Sequence, residues 1–172
     1  MNYGELHTTN EPWRVTFSRR LAHTPEHVWA AITEPEHLDA WFPTRIVGDR
    51  AAGAPLRFEF RNGEGEDFEG EMLAFEPPRQ LALRWGDEIL RFDIRPDGDG
   101  SVLDVDVSFD DKGKAARDAA GWHVCLDNLG THLDGAPHPD AQDDKNRWKP
   151  VFDHYVATFP AEASTIGPPE GM

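Results

Sequence analysis

The stretch AAGWHVCLDNLGTHLDG, residues 119–135, places Trp122, His123 and Cys125, the only cysteine of the chain, close together. A thiol beside an imidazole is the pairing that Cys/His enzymes use, with the imidazole drawing the proton from the nucleophile. The spacing argues against that chemistry here. On a helix, residues two apart point about 200° apart, so the two side chains do not meet. Cys125 is expected to be a small core residue and His123 to sit at the helix edge. No catalytic residue is assigned.

Eight histidines raise the question of a metal. His23 and His27 stand four apart, but Pro25 between them places His23 outside the helix. The segment HLDGAPHPD offers His132, Asp134, His138 and Asp140 from a loop. Neither spacing is a zinc framework, and HExxH and CxxC are missing, so no metal is expected. Carboxylates number 32, too many to single out by count. Glu59, Asp104 and Asp106 alternate with apolar residues and are expected to face solvent. Glu69 and Glu71, where alternation blurs, are the ones with access to an inner face. The glycines of GEGEDFEGE are flanked by acids that repel phosphate, so a nucleotide is not expected, and no cofactor is assigned.

What must position these residues is one domain's worth of chain, 172 residues with a net charge of −15. That charge disfavours nucleic acid and anionic membranes as partners. Mean hydropathy is −0.63, and no apolar run approaches the roughly 20 residues of a membrane span. The N-terminus shows no basic-then-apolar signal pattern, and a lone cysteine forms no internal disulfide, so a cytoplasmic location is expected. Ten phenylalanines and six tryptophans predict an aromatic core, and aromatic side chains also wall pockets.

Residues 1–12 read as a flexible N-terminus. PWRVTFSRRL then alternates as a first strand, with Val15 and Phe17 on one face. Thr24 and Pro25 cap a short helix that buries Val28, Trp29 and Ile32. A second follows Pro35, with Leu38, Trp41 and Phe42 on one face and Pro43 as its stop. The period then changes to two. Leu56, Phe58 and Phe60 align, then Leu81, Leu83 and Trp85, then Leu90, Phe92 and Ile94, then Leu103, Val105, Val107 and Phe109. Gly86-Asp87 marks a tight hairpin. One apolar and one charged face, strand after strand, describe an antiparallel sheet wet on one side. A long helix starts near 112–115 and runs to Leu133, with Trp122, Leu126, Leu129 and Leu133 as its stripe and Gly135 as its end. Its first half is small, with four alanines and Gly121; close packing or lost bulk must offset the roughly 1 kcal/mol that a helical glycine costs. The last part, 136–172, reads as a polar extension with a short helix around 150–159 and a frayed tail.

One long helix must therefore cover one apolar sheet face, which favours an α+β fold with a curved antiparallel sheet wrapped around it. An alanine- and glycine-lined helix closes such a wrap poorly, leaving an apolar gap. On TPEHVWAAITEPEHLDAWF (24–42), LALRW (81–85) and GWHVCLDNL (121–129), residues 13–135 resemble the helix-grip fold of the START/Bet v 1-like (SRPBCC) superfamily. More narrowly, they are similar to bacterial single-domain proteins related to the C-terminal domain of the activator of Hsp90 ATPase. The resemblance implies a cavity for an apolar or amphipathic small molecule, lipid-like ligands included. The expected ligand-binding residues are Trp41, Phe58, Phe60, Met72, Leu83, Trp85, Phe92, Trp122, His123 and Leu126, with His123 or Arg84 as a polar contact at the rim. Two other readings stand beside it. One is a cyclase, dehydratase or hydrolase, marked by an inner-face acid or histidine of shifted pKa. The other is a protein-interaction or chaperone-associated regulator. On any of these readings the protein is expected to be a monomer or a homodimer.

Overall fold

The computed structural model describes residues 2–170, apart from the side chain of Asn62. Eight antiparallel strands form one sheet: β1 (Glu5–His7), β2 (Arg14–Leu21), β3 (Thr44–Val47), β4 (Pro55–Phe60), β5 (Phe68–Glu76), β6 (Gln80–Trp85), β7 (Glu88–Asp97) and β8 (Gly100–Ser108). Their order is β1-β2-β8-β7-β6-β5-β4-β3. Two short helices, α1 (Pro25–Thr33) and α2 (Pro35–Leu38), follow β2. The long helix α3 (Ala115–Leu133) lies on the apolar face, and α4 (Ala141–Thr158) packs along α3.

Local chemistry sets each boundary. Thr24 Oγ1 accepts from His27 N, with Pro25 in the first turn of α1. Gly135 adopts φ +67° just past α3 and returns its N–H to the His132 carbonyl. Val15, Phe17, Phe58, Met72, Leu83, Leu90, Phe92, Val105 and Val107 are buried under the helices. Each fully buried side chain of this size contributes about 1.5–3 kcal/mol. The charged faces point outward and pair across strands, Arg95 with Asp104 at 3.3 Å and Arg14 with Asp106, or along one strand, Arg57 with Glu59 of β4 at 3.2 Å. Glu69 is exposed and Glu71 half-buried, alternating with the buried Gly70 and Met72, so neither belongs to the inner face.

Three stretches differ from the expectation. Residues 5–7, expected to be loose, form β1, because β2 offers an open edge that Glu5, Leu6 and His7 pair with. The linker expected before residue 150 is helical from Ala141, because Asp140 caps it by accepting from Gln142 N and Asp143 N. Pro150 sits inside α4 rather than at its start, on the exposed side where the carbonyl it leaves unpaired reaches water. The tail is also anchored. Ala161–Ser164 forms a 3-10 turn with Ala163 buried, and Ile166 N donates to the Gly113 carbonyl at 3.2 Å. Met1 and the last two residues of that tail lie outside the described residues. Among the described residues, no helix is long and apolar enough to cross a membrane.

Candidate functional site

From Lys114, just before α3, the positions 114, 118, 122 and 125 recur at helical spacing, so one stripe carries Lys114, Asp118, Trp122 and Cys125. This stripe faces the turn between β6 and β7. Gly86 takes φ +59° there, which lets the chain reverse between Trp85 and Glu88. Between turn and helix lies a cavity of about 620 Å³, walled by Phe60, Phe68, Trp85, Trp122 and Trp148. Its size is that of small-molecule sites, roughly 300–1,000 Å³. Gly121 borders it, and a Cβ added there would meet nothing within 4 Å. The lost bulk of this glycine is therefore open space, whereas Ala115, Ala116, Ala119 and Ala120 are fully buried in close packing.

The polar end of the cavity is built on Glu88. It falls two residues before Leu90 on the inner face of β7 and is 6% exposed. Lys114 Nζ lies 3.0 Å from Glu88 Oε1 and 2.6 Å from Asp110 Oδ1. Asp118 stands on the other side of Glu88 within hydrogen-bonding reach, itself held by Arg117 Nε at 3.0 Å. Burial first, and then the Asp118 carboxylate, push the Glu88 carboxyl up to about 8 against the pull of Lys114. Burial alone would lower Lys114, but Asp110 and Glu88 outweigh it and hold the ammonium charged. Glu88 therefore carries a proton at neutral pH and donates it toward Asp118. Three carboxyls and two cations leave one surplus negative charge, and that proton relieves it. Cys125 also borders the cavity, where burial pushes its thiol up to about 12, so it is no nucleophile at neutral pH.

The family model described as "Activator of Hsp90 ATPase homolog 1-like protein" matches residues 22–134. The chain belongs to that family. None of the curated proteins matches it. Among solved structures it is similar to CalU16 from Micromonospora echinospora, with TM-score 0.69 and 22% identity over 91% of this chain and 94% of that one. It is also similar to EF2215 from Enterococcus faecalis, a conserved protein of unknown function, with TM-score 0.73 and 20% identity over 90% and 88%. The protein BPP1335 from Bordetella parapertussis gives 0.69 and 20% over 92% and 93%. These likenesses show the helix-grip fold.

Of the ten side chains expected to wall a gap in this AHSA1-like domain, Phe60, Trp85 and Trp122 line the cavity. Trp41, Phe58, Met72, Leu83 and Phe92 are buried in solid core and do not. The alanines let α3 seat directly on the sheet there, and Trp41 closes the space under α1 by donating from Nε1 to the Ala31 carbonyl at 2.8 Å. The gap thus lies at one end of the wrap rather than its centre. Leu126 is buried and borders a different hollow near Arg19 and Asp127. Arg84 is exposed and bonds the Gly86 carbonyl. His123, expected at the helix edge and at the ligand, is fully buried on the far side of α3. Gly4 N donates to Tyr155 Oη at 2.7 Å, and that hydroxyl meets His123 Nδ1 at 3.0 Å. His123 Nε2 faces Asp127 at 3.5 Å. Burial lowers the His123 pKa despite Asp127, so the ring is a neutral structural bridge. It points away from Cys125, as the helical spacing requires.

Glu88, Lys114 and Asp118 were not singled out by sequence, although period two through Leu90, Phe92 and Ile94 already places Glu88 on the inner face. Elsewhere His23 pairs with Asp134 at 2.8 Å, while His37 Nδ1 meets His132 Nε2 at 2.7 Å. Among the described residues, no three His, Cys, Asp or Glu side chains are grouped to hold a metal. A second hollow of about 760 Å³ lies between α1–α2 and β3. Arg50 borders it and is committed to the carbonyls of Thr33, Ile46 and Gly48, and neither α3 nor an inner-face acid reaches it.

Proposed function

We propose that this is a cytoplasmic protein that binds an apolar or amphipathic small molecule in the cavity between the β6–β7 turn and the first half of α3. The ligand body lies on Trp85, Trp122, Trp148 and the two phenylalanines, and its polar group meets Glu88 and Asp118. The observation that carries this reading is Gly121: a helical glycine that costs stability and whose missing side chain opens onto a 620 Å³ space. Thermal unfolding against apolar metabolites, lipids and aromatic polyketide-like compounds tests it. A ligand at 100 times its Kd adds about 2.7 kcal/mol. A Cβ at 121 meets nothing within 4 Å, so Gly121→Leu projects its side chain into the space; a variant with an unchanged unliganded midpoint is expected to lose the shift. A folded, ligand-free protein that no compound stabilises would remove the cavity as a site and favour a protein partner.

A second reading is favoured by the carboxyl pair. Glu88, its carboxyl pushed up by burial and by the neighbouring Asp118, sits at the edge of an apolar site as a general acid beside a second carboxyl, the pairing that acid/base enzymes such as cyclases, dehydratases and hydrolases use. Conversion of a bound compound that is lost in Glu88→Gln while binding persists would establish it; unchanged compound after long incubation would leave binding alone.

A further inference from the structure

We propose that the cavity selects organic cations: an apolar body carrying one ammonium group, seated with the charge between Glu88 and Asp118. This rests on the cavity being the ligand site and names the class of ligand it takes.

Three independent features converge on it. The walls are aromatic on several sides, and indole and phenyl faces attract an ammonium by about 0.5–2 kcal/mol each when water is excluded. Edge contacts of Trp85 with Phe68 at 4.7 Å and with Trp122 at 5.8 Å hold these rings at steep angles to one another, as in a cage rather than a stack. The charge balance of the lining is negative: Glu64, Asp87, Glu88 and Asp118 against Lys114 and Arg117. Both cations are already committed, Lys114 between Glu88 and Asp110, Arg117 to Asp118, so neither is available to an anionic ligand. Burial and the neighbouring Asp118 carboxylate together hold a proton on Glu88, and a ligand ammonium takes the place of that proton, which leaves to solvent. A carboxylate ligand would instead bring a further negative charge beside Asp118 and the half-buried cluster around Glu88, where both cations are already paired. The net charge of −15 steers cations toward the protein from a distance.

The experiment compares three probes of nearly equal shape, 4-phenylbutylamine, 4-phenylbutanol and 4-phenylbutyrate, by quenching of tryptophan fluorescence at pH 7 and 0.15 M salt. The expected result is an amine Kd at least about tenfold below that of the alcohol, a difference of roughly 1.4 kcal/mol, and the weakest binding for the carboxylate. That preference drops to about threefold or less in Asp118→Asn and in Glu88→Gln, two variants that remove charge while keeping shape. An alcohol that binds as tightly as the amine overturns the cation selectivity and leaves the pocket standing. A preference that persists in both variants overturns it as well, because attraction by the general surface charge would then suffice. If none of the three quenches, both the selectivity and the cavity as a ligand site fall.

Discussion

Replacing Glu88 by glutamine tests the reading of the cavity's polar end directly. Glutamine copies the protonated acid: its carbonyl oxygen accepts from Lys114 Nζ as Glu88 Oε1 does at 3.0 Å, and its amide donates toward Asp118. It differs only in being unable to ionise. In the wild type the folded state keeps the Glu88 proton up to about pH 8, while the unfolded chain releases it near 4.5. The stabilisation is therefore complete below about pH 4.5 and is lost as pH rises through about 8. At about 1.4 kcal/mol per unit, the window amounts to roughly 4–5 kcal/mol at the upper limit. Urea unfolding of wild type and Glu88→Gln at pH 5, 6, 7, 8 and 9 reads this difference. The stability gap should move in the variant's favour across pH 5–8 and level off above. A loss of about 3–5 kcal/mol that does not change with pH would refute the reasoning, since that is what removing one partner of an ionised buried pair costs. Glu88 would then be charged and bonded to Lys114 throughout.

Two further perturbations address the frame around the cavity. Tyr155→Phe deletes a fully buried hydroxyl and strands both Gly4 N–H and His123 Nδ1; a loss of about 1–3 kcal/mol in chemical unfolding is expected, and an unchanged midpoint would mean that water already serves these groups. Gly70→Ala drives a Cβ to 2.0 Å from the Arg84 carbonyl oxygen and 2.5 Å from the Phe58 ring; the carbonyl is fixed in the β5–β6 ladder and the ring is fully buried on β4, so about 2 kcal/mol or more should be lost, and a neutral result would show that the strands are free to shift.

The fold is legible in the sequence because it is written in periodicity. Period-two alternation marks five of the inner faces, and the α3 stripe from Trp122 to Leu133 reads directly as the helix that must cover them. Less is legible at the site. Burial of Phe58 and Phe92 is visible in the pattern, but whether a buried ring faces a neighbour or a void depends on how closely α3 seats, which the alanines decide only in three dimensions. Glu88 was accessible in principle, since its parity with Leu90 puts a carboxylate on the inner face. It stood beside the Gly86-Asp87 turn, where an acid is ordinarily solvated, and its partners Lys114 and Asp118 come from a helix whose register on the sheet no local pattern gives. β1 and the first half of α4 escaped for a different reason: an edge strand and a capped polar helix gain their stability from what they dock against.

That docking gives α4 a part in the site which lies beyond the family match at residues 22–134. Trp148 and Tyr155 are seven residues apart, two turns of α4, and so point to the same side, where Val151 and Phe152 also bury. Trp148 closes one wall of the cavity, while Tyr155 locks the helix to His123 of α3 and to Gly4 at the N-terminus. Val151 and Phe152, buried between them, tie the two ends of this stripe together across Pro150. The buried His123–Tyr155 bridge, which does not line the cavity, is therefore expected to influence where the Trp148 wall stands. Loosening the bridge by Tyr155→Phe is expected to act on the cavity from the opposite face of α3, through the seating of α4 rather than through any group that lines the cavity.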